Sequence, residues 1–119
     1  MVELVKPLII ALRRDVPMLV RNAPATDDAL EGVLARPDLS RCYELLKTAL
    51  GAPVKEFGQP AKLEPAMRKA VERLGGIRVE QCLFLKPLDG AHGIYAALWP
   101  WASDPTRITL KVGVCPVAS

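Results

Sequence analysis

Near Ile77 the spacing of apolar residues changes from the 3.6-residue period of a helix to the 2-residue period of a strand, and this limits the chain to folds that combine both. Beyond that point Ile77, Val79, Leu83 and Leu85 alternate with Arg78, Glu80, Cys82, Phe84 and Lys86. Asp89-Gly90 is a strong two-residue hairpin signal. Taken literally, it pairs Leu85 with Ile94, Leu83 with Ala96 and Phe84 with Tyr95. A third strand over residues 107–114 alternates Ile108, Leu110, Val112 and Val114 against Arg107, Thr109 and Lys111. The connection from Pro100 to Thr106, with Asp104-Pro105, fits a loop between antiparallel neighbours. Centring there pairs Ile94 with Val112, Ala96 with Leu110 and Leu98 with Ile108. The expected product is a three-stranded antiparallel β-meander over residues 77–115. One face holds Val79, Leu83, Leu85, Ile94, Ala96, Leu98, Ile108, Leu110 and Val112. The other collects Arg78, Glu80, Cys82, Phe84, Tyr95, Trp99, Arg107 and Lys111, with Trp99 beside Arg107 and Tyr95 beside Lys111.

Residues 1–75 read as the helical half. Val2, Val5, Leu8, Ile9 and Leu12 recur at helical spacing; Pro7 kinks or restarts that helix, and the stretch from Asp15 to Pro17 closes it. Pro17 can open a short helix through Arg21 that Pro24 stops. Thr26 is an N-cap candidate with Asp27 and Asp28 in the first turn, for a helix striped by Leu30, Val33 and Leu34 and ended by Pro37. Asp38 then caps a helix carrying Leu39, Cys42, Tyr43, Leu46 and Leu50, stopped by Gly51. Residues 51–62 read as a loop. Leu63, Met67, Ala70, Val71 and Leu74 form the stripe of a last helix over 63–74, on which Lys62, Lys69 and Arg73 fall within about 40° of one another. The sequence thus predicts an α+β fold with about four helices packed on the aliphatic face of the meander.

At 119 residues, 50% hydrophobic and 24% charged, the chain is expected to form one domain over residues 1–119, and disordered, coiled-coil and collagen-like classes drop out. No apolar run approaches the length needed to span a bilayer, and no basic stretch leads into a small-residue cleavage site, so no membrane association and a cytoplasmic location are expected. Net charge is +3, with eight residues of each sign in 1–60 but eight basic and five acidic in 61–119. That surplus is too mild to imply nucleic-acid binding by itself.

The cysteines Cys42, Cys82 and Cys115 lie far apart, with no CxxC and no Cys/His pair, so neither a metal site nor a dithiol motif is expected and no cofactor is required for folding. Cys115-Pro116 is a dipeptide also found in haem-responsive segments, too short to carry that reading. His92, the single histidine, sits after the hairpin turn. No GxSxG, Walker A, GxGxxG or HExxH motif occurs. The one constellation above background is the mixed sheet face: Phe84, Tyr95 and Trp99 interleaved with Arg78, Arg107 and Lys111. Such rings and cations suit a protein interface, and the leading expectation is a small non-enzymatic module that pairs with itself or with another protein through this face or an edge strand, with Trp99 as anchor. Nucleic-acid binding is the alternative, either by stacking bases on that face or by a winged-helix arrangement in which Lys69 and Arg73 meet DNA. A second alternative is an enzyme or ligand-binding domain with a site lacking any motif near Cys82 and His92, where cations such as Arg78 would lower the thiol pKa.

Overall fold

The computed structural model describes residues 2–21, 29–59, 68, 69, 71, 72, 78–87 and 92–116. Among them are two fully delineated α-helices, α1 (Val2–Asp15) and α2 (Leu39–Leu50), and five strands: β1 (Leu19–Val20), β2 (Leu30–Ala35), β3 (Cys82–Pro87), β4 (His92–Pro100) and β5 (Arg107–Pro116). The strands form one antiparallel sheet in the order β1-β2-β5-β4-β3. The fold is α+β, but the expectation of about four helices over a three-stranded meander is overturned. Two stretches read as helical, 17–21 and 30–36, supply strands instead, and they extend the sheet beyond β5. The capping residues proposed for the second stretch, Thr26, Asp27 and Asp28, lie outside the described residues. Of the helix expected over 63–74, Arg68, Lys69, Val71 and Glu72 have helical backbone, and the remainder lies outside the described residues.

The reason for the β2 error is geometric. Leu30 and Leu34 are four residues apart, a spacing that puts two side chains on one face of a helix and equally on one face of a strand. In the sheet both are buried, and Gly32 between them faces the same way. A Cβ at Gly32 would lie 2.8 Å from Met18 Sδ, so the missing side chain leaves room for Met18.

The core lies between the sheet and the two helices. Val5, Leu8, Ile9 and Leu12 of α1, with Cys42, Leu46 and Leu50 of α2, cover a sheet face made of Leu30, Leu34, Cys82, Phe84, Ile94, Ala96, Leu98, Ile108, Leu110 and Val112. Asp38 stands at the N-cap of α2 without a side-chain capping bond, because the chain enters through a single 3-10 turn (Arg36–Asp38). Gly51 ends α2 at φ 83°. The Cα radius of gyration, 13.3 Å, is that of a compact chain of this length. No described helix is long and apolar enough to cross a membrane.

The hairpin register differs from the expected one by a single residue. Phe84 stands opposite Ala96 and Leu85 opposite Tyr95, so Cys82 and Phe84 turn toward the helices while Leu83 and Leu85 turn away. Pro87 is the last residue of β3 to pair, with Gly93, and the expected Asp89-Gly90 turn lies outside the described residues. Between β4 and β5 the shift is two residues, Ala96 facing Val112 rather than Leu110, and an even shift leaves every side chain on its expected face. Val79 and Arg78 precede β3 in a turn, and Val79 is 56% exposed rather than part of the aliphatic face. The second face of the sheet is not bare either. Val71 packs on Leu83 and Ala97, with Val54, Tyr95 and Trp99 around them, so helical cover lies on both sides of the sheet.

Candidate functional site

The residues proposed for a common binding face are distributed over three surroundings. Phe84 is fully buried among the helices, with its ring 5.4 Å from that of Tyr43 in an edge-on arrangement. Tyr95, Trp99, Arg107 and Lys111 do share the second face. Tyr95 lies across Gly113, where a Cβ would come within 3.1 Å of its ring. Lys111 Nζ sits 4.6 Å from the centre of the Trp99 ring and 3.3 Å from Glu31 Oε1. Arg107 is not beside Trp99; it covers Trp101 at 5.7 Å and pairs with Asp104 at 3.3 Å. Arg78 stands apart in its turn, 4.0 Å from Glu80. Cys82 and His92 are not brought together, since Cys82 faces Leu98 and His92 is six positions away along β4, roughly 20 Å.

Cys82 belongs instead to a half-buried polar knot around the 54–58 segment. Glu56 accepts a bond from the Tyr43 hydroxyl at 2.6 Å, and Cys82 Sγ approaches its other oxygen at 3.8 Å. Burial first, then the Glu56 charge, pushes the Cys82 thiol up to about 12, the reverse of activation by Arg78. The Glu56 bond, then burial, likewise pushes Tyr43 above its usual range. Lys55, 3% exposed, donates from Nζ to the carbonyls of Val79 and Gln81, and its backbone bridges Leu83. Burial lowers its pKa against the opposing pull of Cys82, Glu80 and Glu56. These groups are consumed in holding the 54–58 and 78–81 segments against the edge of β3. Lys55→Met should therefore destabilise the fold by about 2 kcal/mol, because the Gln81 carbonyl loses a charge-assisted donor, and urea titration at neutral pH will measure it. A change under about 0.5 kcal/mol would show that water replaces the ammonium without loss. No group of three or more His, Cys, Asp or Glu side chains that could hold a metal occurs among the described residues.

A groove of about 680 Å³ lies at the end of the sheet where α2 begins. Its walls include Arg36, Leu39, Phe57, Glu80, Trp101 and Pro105, from the 3-10 turn, the first residue of α2, the loop after α2, the turn before β3 and the β4–β5 connection. The Trp101 and Arg36 walls are fixed by hydrogen bonds. Trp101 donates its indole N–H to Thr109 Oγ1 at 2.8 Å and its backbone N–H to the Arg107 carbonyl at 3.0 Å. Arg36 donates its backbone N–H to the Thr106 carbonyl and Nε to the Pro105 carbonyl, both at 2.8 Å. Bonds from Thr106 hold the Asp104 carboxyl below the usual carboxylate range, which keeps it charged beside Arg107. The sequence reading placed Trp101 in a connecting loop and Phe57 in another. The only local sign was a second tryptophan two residues after Trp99, and periodicity does not assign a role to it. No family model, curated protein or solved structure matches the chain.

Proposed function

We propose that this chain is a non-enzymatic binding module whose recognition site is the Trp101 groove. The observation that carries the reading is a concave, mostly apolar hollow of about 680 Å³, within the range of small-ligand sites, whose tryptophan is held by its own hydrogen bond and by a stacked guanidinium. Rings fixed in advance lose little freedom on binding.

Other readings have less support. For self-association through an edge, β1 is two residues long and follows Pro17, while the outer side of β3 is bridged by Lys55 and ends at Pro87. Short, proline-bearing or covered edges resist pairing with a second chain. For self-association through the sheet face, Val71 already covers Leu83 and Ala97, and Lys111 lies on the Trp99 ring. For nucleic acid, Arg107 and Lys111 each stand 3.3 Å from a carboxylate, which weakens their hold on phosphate. Lys69 is exposed, but Lys62 and Arg73, the rest of the expected basic stripe, lie outside the described residues.

Trp99→Phe leaves Trp101 as the single indole. The change should cost under about 1 kcal/mol, because the Trp99 Nε1 is buried with no partner among the described residues and the ring is replaced by a ring. In this variant, titration with small apolar fragments should shift Trp101 emission saturably, and Trp101→Ala should abolish the heat of binding. Emission that stays constant up to millimolar fragment would reject the groove as the recognition site.

A further inference from the structure

Resting on the reading of the groove as the binding site, we infer that its ligand is a small apolar monocarboxylate, held by the Arg36 guanidinium at the charged end and by the Trp101 and Phe57 rings along its body. Arg36 is the warrant. Its backbone N–H and its Nε are both tied to the 105–106 segment at 2.8 Å, while its two terminal nitrogens have no partner among the described residues. A guanidinium held through Nε presents an ordered pair of N–H donors, and that fork matches the two oxygens of a carboxylate. The remaining walls, Leu39, Phe57, Pro105 and Trp101, are apolar and call for a hydrocarbon or aromatic body.

Glu80 is the one acidic side chain in the groove wall, and Arg78 stands 4.0 Å from it. Arg78 partly balances that carboxylate against an ammonium ligand, though the pair is exposed and weak, while a ligand anion at Arg36, which is also exposed, displaces only water. A proline-rich peptide fits less well, because the Trp101 indole N–H that such a peptide's carbonyl needs is committed to Thr109. Arg107 over the Trp101 ring is already balanced by Asp104, so Arg36 is the cation in the groove wall left to meet an anion.

The test uses the full chain carrying Trp99→Phe and three probes that share one phenyl body: hydrocinnamate, its neutral amide, and phenethylamine. Trp101 emission and calorimetry read the binding. Hydrocinnamate should bind about tenfold tighter than the amide, and phenethylamine should bind weakest. Arg36→Gln should bring the carboxylate-to-amide ratio to about one while leaving the amide affinity within about twofold, and Arg36→Lys, which keeps the charge without the fork, should give about threefold. Equal binding of acid and amide in the parent, or an unchanged ratio in Arg36→Gln, overturns the carboxylate assignment and leaves the groove as a binding site. Tightest binding of phenethylamine overturns it in favour of Glu80. If none of the probes moves the emission or releases heat, both the assignment and the groove reading fail.

Discussion

Phe84→Ala should lower the free energy of unfolding by about 3 to 5 kcal/mol, the range for removing an aromatic ring from a close-packed core. Phe84 is fully buried and meets the Tyr43 ring edge-on at 5.4 Å. Its neighbour across the hairpin is Ala96, also fully buried and too small to collapse into the space left behind. With Phe84 opposite Tyr95, as the Asp89-Gly90 turn alone implies, the ring would point to the other face of the sheet, where Leu83 and Leu85 are also buried, so the register is decided by the cross-strand contacts and not by the size of the loss. Urea unfolding of the variant, with cross-strand Phe84–Ala96 contacts sought by NMR, tests both points. Phe84–Tyr95 contacts would refute the placement of β3, and a loss near ~1 kcal/mol the close packing of the ring.

Raising the pH should unfold the protein through its buried thiols. Cys42 and Cys82 are both free and fully buried, and burial is the first cause that pushes each up to about 12 from 9.0. The folded chain therefore keeps these protons when the unfolded chain has released them. The stabilisation is complete below pH 9.0 and is lost as pH rises toward about 12. At about 1.4 kcal/mol per pH unit, Cys42 alone removes about 2 to 3 kcal/mol by a pH two units above its unfolded value. Cys82 acts in the same direction, and so does Tyr43 above its ordinary value of 10.0. Lys55 acts in the opposite direction: its lowered pKa means that the unfolded chain binds more protons up to 10.5, so stability rises slightly with pH there. Urea midpoints followed from pH 8 to pH 11 should fall steeply, and Cys42→Ala, though less stable at neutral pH, should fall more slowly. A parent protein with a flat profile over that range would contradict the placement of both thiols in the core.

The groove was the least legible feature in the sequence. Arg36, Leu39, Phe57, Glu80 and Trp101 come from segments separated by as many as 65 positions, and no local spacing relates them. The mixed face was legible in part. Tyr95, Trp99, Arg107 and Lys111 do share a side of the sheet, because β5 alternates clearly and the even register shift between β4 and β5 leaves every side chain on its expected face. Phe84 was misassigned because Cys82, Leu83, Phe84 and Leu85 are apolar without interruption. A strand covered on both sides carries no alternation from which to choose a face.

By itself the sequence determined the elements with one plainly marked face: α1 and α2 through their helical stripes and the Gly51 stop, and β5 through its alternation, with β4 following as its hairpin neighbour. Each of those patterns records a single neighbouring surface, which a short stretch of chain can encode. Tertiary structure alone decided the rest. Residues 30–35 became a strand because β5 offered a pairing edge, although the four-residue spacing of Leu30 and Leu34 satisfies either period. The face taken by β3 followed from which side the rings of Tyr43 and Phe84 could meet. The groove exists because the 3-10 turn, the loop after α2 and the β4–β5 connection are tied together across the end of the sheet, by contacts between residues that lie far apart in the chain.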